Sequence, residues 1–179
     1  MDLETLINNI REYEPELINR IFYFIFIDFK DERYNFRNKF INILNEGYIK
    51  GKNFFNNDYL KMIILGKNIK TIGEITFKNC SKLEDIVLNR NLESIKSKSF
   101  EGCKLLRKIN LPHNLKYIGY KTFYGCKSLK EVFLPREIEY IGYNCFDECS
   151  SLTRVYMSNN TNYCKNTFPD YTQIIKYWF

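Results

Sequence analysis

The sequence predicts an α/β repeat solenoid: stacked units forming a parallel sheet, behind an N-terminal helical cap. Three observations carry this expectation. Six apolar columns recur in register every 23 residues from about residue 46 onward. Each unit closes on an alternating apolar pair, such as Val132 and Leu134, the pattern of a strand with one buried face. Residues 1–45 lack this period and space their apolar residues as amphipathic helices do.

The first segment, residues 1–45, reads as a helical cap. Leu3, Leu6, Ile7 and Ile10 share one helical face. Pro15 sits where a second helix can start, and Ile18, Ile21, Phe22, Ile25, Phe26 and Phe29 follow the i, i+3, i+4, i+7 spacing. The run Phe22 to Ile27 is apolar almost all round, so a buried strand is the alternative there. Asp31 is placed to cap a third helix carrying Phe36, Phe40, Ile41 and Leu44, with Gly47 past its end. A solenoid needs its open end covered, which gives this segment a role as a cap; the alternative is a separate helical recruitment module.

Residues 46–160 hold five units, starting near 46, 69, 92, 115 and 138. Phe77, Phe100, Phe123 and Phe146 form one column, and Cys80, Cys103, Cys126 and Cys149 another. Leu83, Leu106, Leu129 and Leu152 follow, then Ile86, Ile109, Val132 and Val155. A unit of 23 residues cannot bury its strand face alone, so units stack and the strands align about 4.8 Å apart. Ile72, Ile95, Ile118 and Ile141 supply an opposite wall, and the Phe column fills the space between.

Leu115-Lys-Tyr-Ile118-Gly-Tyr-Lys-Thr-Phe123-Tyr-Gly-Cys126-Lys-Ser-Leu129-Lys-Glu-Val132-Phe-Leu134-Pro135 resembles the unit of the BspA-type leucine-rich repeat. Gly73, Gly119 and Gly142 match that family's turn, whereas Lys50 and Lys96 depart from it; Pro112 and Pro135 match its strand end, whereas Asn89 and Ser158 do not. The resemblance implies a leucine-rich-repeat array and a binding protein, either a surface adhesin or an intracellular interaction module.

Residues 161–179 read as a degenerate capping repeat. With one residue deleted after Met157, Phe168, Ile174, Tyr177 and Phe179 fall on the Phe, Leu, Val and Met columns. The final strand leaves a sheet edge, so a homodimer is one expectation and a simple aromatic cap the other.

Little in the chain suggests catalysis. Cys145 takes the small-residue position held by Thr76, Ser99 and Thr122, so the repeat accounts for it and the four ladder cysteines. His113 is the sole histidine, in a turn, and no phosphate loop or clustered metal-ligand set accompanies it. The expectation is therefore a non-enzymatic protein with no cofactor and no metal. The acidic start, Met1-Asp2-Leu3-Glu4, does not resemble a secretory leader, and the longest apolar run is too short to span a bilayer, so a cytoplasmic protein without a membrane segment is expected.

The formal charge of +6 divides unevenly. Residues 1–45 carry six Lys/Arg against eight Asp/Glu, and residues 46–179 carry 21 against 13. The basic array favours acidic partners. Three columns are expected on the open side of the sheet: Lys61, Glu84, Arg107, Lys130 and Thr153; Met62, Asp85, Lys108, Glu131 and Arg154; Ile64, Val87, Asn110, Phe133 and Tyr156. Phe133 and Tyr156, with Asn110, Arg107, Lys108, Lys130 and Arg154, form the expected partner-binding site, because aromatics beside Arg make hot spots. Outward aromatics also suit strands for β-propensity alone. Tyr117 with Tyr140 and Tyr120 with Tyr143 mark either a second contact face or plain stacking along the solenoid. The leading expectation is a stand-alone intracellular inhibitor or adaptor that masks a protein partner's acidic surface. Nucleic-acid binding, or blocking of a nucleic-acid enzyme, is the alternative favoured by charge, although Glu84, Asp85 and Glu131 interrupt the basic strip.

Overall fold

A computed structural model describes residues 40–41, 48–49, 54–66 and 68–177. Its strands in chain order are β1 (Phe40–Ile41), β2 (Tyr48–Ile49), β3 (Met62–Ile64), β4 (Thr71–Ile72), β5 (Asp85–Val87), β6 (Ser94–Ile95), β7 (Tyr117–Ile118), β8 (Glu131–Phe133), β9 (Tyr140–Ile141), β10 (Arg154–Ser158) and β11 (Gln173–Tyr177). They alternate between two walls. One wall is a five-stranded parallel sheet in the order β2-β4-β6-β7-β9. The other comprises two three-stranded parallel sheets, β1-β3-β5 and β8-β10-β11. Residues 108–110, between them in the coil order, carry no strand, so this wall is interrupted where the other is continuous.

The 23-residue period is the register of the pairing. Met62 pairs with Asp85, Ser94 with Tyr117, and Val132 with Val155, each one unit apart. The third side of each coil is also bonded to the next: the Phe77, Phe100 and Phe123 amides donate to the carbonyls of Ser99, Thr122 and Cys145 at 2.8, 2.9 and 2.8 Å. Neighbouring coils therefore satisfy much of each other's backbone on all three sides, as a buried chain needs.

The interior is a set of ladders. Phe54, Phe77, Phe100, Phe123, Phe146 and Phe168 stack in one continuous column, with centroids 5.1 to 5.4 Å apart. The thiols of Cys80, Cys103, Cys126 and Cys149 donate to the carbonyls of Phe54, Phe77, Phe100 and Phe123, at 3.1 to 3.3 Å. Burial pushes Cys80 and Cys149 up to about 12 and the enclosed Cys103 and Cys126 well above the usual thiol value. Asn57 stands in for cysteine in the first unit, its side-chain oxygen accepting from the Leu60 amide at 3.0 Å.

Tight turns set two backbone requirements. The column Ile75, Lys98, Lys121 and Asn144 has φ between 51° and 59°. A second left-handed column runs Asn56, Asn79, Gly102, Gly125 and Glu148, where only two coils use the residue that adopts this conformation without penalty. Gly119 and Gly142 answer a different need, because a Cβ on Gly142 would lie 2.4 Å from the Gly119 carbonyl carbon of the preceding coil.

Several expectations change. The described residues contain no helix, so the repeats form a β-solenoid of strands and turns and not an α/β array. Left-handed residues recur four apart in each turn run, as at Ile75 and Asn79 or Lys121 and Gly125, and a right-handed helix cannot pass through them. Most of the expected helical cap lies outside the described residues. Where it is described, at Phe40–Ile41, the chain is a strand paired in parallel with β3, because the sheet edge offers the backbone a ladder. In the last unit Phe168 does occupy the Phe column, but Ile174 pairs with Val155 and Tyr177 with Ser158. Phe146 to Phe168 spans 22 residues and Val155 to Ile174 only 19, so the shortening exceeds the one deleted residue assumed from sequence.

Candidate functional site

Strand alternation sends Val132 and Val155 inward and Phe133 and Tyr156 outward. The parallel register then sets those two rings side by side, with centroids 4.3 Å apart and planes within 2°. Phe133 remains 55% exposed, and Tyr156 is half-buried. Ile175, paired with Tyr156 in β11, extends the apolar strip and is itself half-buried. Ile175 could not be identified from the repeat, because the shortened last unit shifts it out of the 23-residue phase.

The basic residues around the strip are not equivalent. Arg154 is ion-paired with Glu131, and Arg107 with Glu84 at 3.7 Å, in both cases with the coil before. Lys108 and Lys130 are exposed and have no carboxylate within ion-pair distance among the described residues. Asn110 is exposed in the interrupted part of the wall. The sequence-predicted residues thus come together on one face, but both arginines are partly neutralised, which weakens the case for a continuous phosphate-binding strip.

The same face differs at its other end. Met62, Ile64, Asp85 and Val87, expected on the open side, are buried, at 3%, 8%, 7% and 3% exposure. Strand alternation sends them outward, yet that end of the wall is covered, so the accessible strip is confined to the later coils.

The five-stranded wall carries the tyrosines. Tyr117 and Tyr140 stack at 4.9 Å, and the Lys96 ammonium lies 4.5 Å from the Tyr117 ring centre. Lys98 and Lys121 lie over Tyr120 at 5.6 and 5.5 Å, and Lys121 also over Tyr124 at 4.5 Å. The Asn166 amide donates to the Tyr143 hydroxyl at 2.7 Å. Desolvation, then the neighbouring Tyr140, holds the Tyr117 hydroxyl above its ordinary pKa.

Among the described residues no group of three His, Cys, Asp or Glu side chains converges to hold a metal ion, and no helix is long and apolar enough to cross a membrane.

The model of the BspA type leucine rich repeat region matches residues 48–175 in 6 copies. No curated protein matches the chain. Among solved structures, a T. pallidum leucine-rich repeat protein is 32% identical, with a TM-score of 0.60 over 61% of this chain and 51% of its own. The pneumococcal vaccine antigen PcpA is 23% identical, with a TM-score of 0.62 over 80% of this chain and 40% of its own. A leucine rich cell surface protein from Faecalibacterium prausnitzii is 20% identical, with a TM-score of 0.58 over 73% of this chain and 38% of its own. The chain spans about half the length of these proteins or less.

Proposed function

Because this chain belongs to the BspA-type leucine-rich-repeat family, a class of interaction and adhesion modules, we propose that it binds a protein partner through the outward face of β8, β10 and β11. The observation that carries this reading is the exposed, coplanar Phe133–Tyr156 pair, lengthened by Ile175 and flanked by Lys108 and Lys130, which form no ion pair among the described residues. The pair is dispensable to the interior, which has its own phenylalanine column. A rigid aromatic platform loses little conformational entropy on binding, and desolvating it against a partner supplies most of the affinity. The two lysines select a partner that presents carboxylates around an apolar centre and speed its approach.

In the finer version of this reading, the module acts alone as an inhibitor or adaptor that covers a partner's working surface by steric block. Nothing in such action requires bond chemistry, in keeping with leucine-rich-repeat solenoids, which are generally non-enzymatic. The test is a comparison of partners captured by the parent chain and by Phe133→Ala/Tyr156→Ala. A partner retained by the parent and lost by the variant supports the site; equal recovery of the same partner removes it.

A further inference from the structure

The coils repeat one device, on the five-stranded wall and in the turns that follow it: a lysine paired with a glutamate 23 residues on. Lys70 meets Glu93 at 3.2 Å, Lys78 meets Glu101 at 3.0 Å, and Lys116 meets Glu139 at 3.2 Å. Three lysines beside this wall break the pattern. One unit beyond Lys96, Lys98 and Lys121 stand Gly119, Lys121 and Asn144, and one unit before them Gly73, Ile75 and Lys98, so no carboxylate shares their columns; Glu101 of the coil before pairs with Lys78 and acts on Lys121 only at longer range, and none of the three forms an ion pair among the described residues. Their ammonium groups rest on Tyr117, Tyr120 and Tyr124 instead.

We propose that this ridge, Lys96, Lys98 and Lys121 with the hydroxyls of Tyr117, Tyr120 and Tyr140, is a second docking surface that takes an acidic polypeptide segment. The surface offers hydrogen-bond donors: three ammonium groups and a row of phenols. A carboxylate accepts from both, and charge-assisted hydrogen bonds of this kind are the strong ones. The surrounding wall already uses carboxylates at coil spacing to satisfy lysines, so a partner's Glu or Asp side chains would continue a pattern the fold itself employs.

The geometry argues against nucleic acid here. Tyr117 has Lys96 from the coil before over its ring and Tyr140 from the coil after stacked on it, so its faces are already occupied. Base recognition on single strands needs open ring faces. This surface is independent of the Phe133–Tyr156 strip, which lies on the other wall.

The experiment is fluorescence anisotropy on the full chain with a labelled Glu-rich peptide, and a Gln-rich peptide of the same length as control. The parent is expected to bind the Glu-rich peptide alone, with affinity falling as salt rises. Lys96→Gln/Lys98→Gln/Lys121→Gln should lose about tenfold or more in affinity, roughly the worth of one charge-assisted contact. Lys104→Gln/Lys127→Gln, the neutralisation of two exposed lysines outside both surfaces, should leave it unchanged. Tyr117→Phe/Tyr140→Phe keeps the stack and removes hydroxyls, and should weaken binding by a few-fold even if the triple variant fails to fold. Equal losses from both lysine variants would show bulk charge and overturn the site. So would binding of the Gln-rich peptide, or an oligothymidylate of matched charge that binds more tightly than the peptide. Loss of partner capture by Phe133→Ala/Tyr156→Ala leaves this result unaffected, so the two surfaces fail separately.

Discussion

Two of the aromatic stacks that run along this solenoid do different work. Inside, Phe54 to Phe168 form an unbroken column whose middle members are fully buried. Outside, Phe133 and Tyr156 stack even closer, at 4.3 Å, yet Phe133 is more than half exposed. Ring-on-ring geometry is therefore no guide to which stack holds the fold. Enclosure is: the inner rings lose all their water on folding, while the outer pair keeps apolar surface for another molecule.

The largest effect that would test this contrast is Phe100→Ala, in the middle of the inner column. It should cost about 3–5 kcal/mol in chemical denaturation, because a ring-sized cavity opens between two coils that are bonded through their backbones. A loss as small as that of a surface residue would break the distinction. Gly142→Ala comes next, at about 1–3 kcal/mol, since its new methyl meets backbone of the preceding coil and nothing flexible can yield.

The outer pair should respond in the opposite sense. Phe133→Ala/Tyr156→Ala should cost only about 1 kcal/mol, the worth of an exposed aromatic pair, while abolishing partner capture. Glu148→Gly should stabilise by about 0.5–1 kcal/mol, because φ of 60° is strained for glutamate and Gly102 and Gly125 already serve the same column.

The cysteines sharpen the contrast by reactivity. Of the six, Cys164 alone is exposed, so a thiol reagent at neutral pH should modify one cysteine quickly in the native chain and all six after denaturation. The ladder thiols also predict alkaline sensitivity. Their folded pKa values are raised, Cys80 and Cys149 to about 12 against an ordinary value of 9.0, so the unfolded chain ionises first. Their contribution is complete below about pH 9 and is lost as pH rises toward 12, and the denaturation midpoint should fall across that window.

The inward columns were legible in the sequence because the interior has the symmetry of the stack. Each coil meets the same neighbours above and below, so Phe77, Phe100 and Phe123 face one environment and the period is written in residue type. For the same reason the Phe133–Tyr156 neighbour relation and the Tyr117–Tyr140 stack followed from spacing alone. The outward columns have no such symmetry. Whether Met62, Ile64 and Val87 are covered while Phe133 is open depends on what lies over the wall, and nothing in their alternation encodes that. The break at residues 108–110 and the phase of β11 were decided in the same way. The sequence alone determined the repeat, its register and its core; tertiary structure decided which part of the surface stays free, because burial of an outward side chain depends on residues outside its repeat.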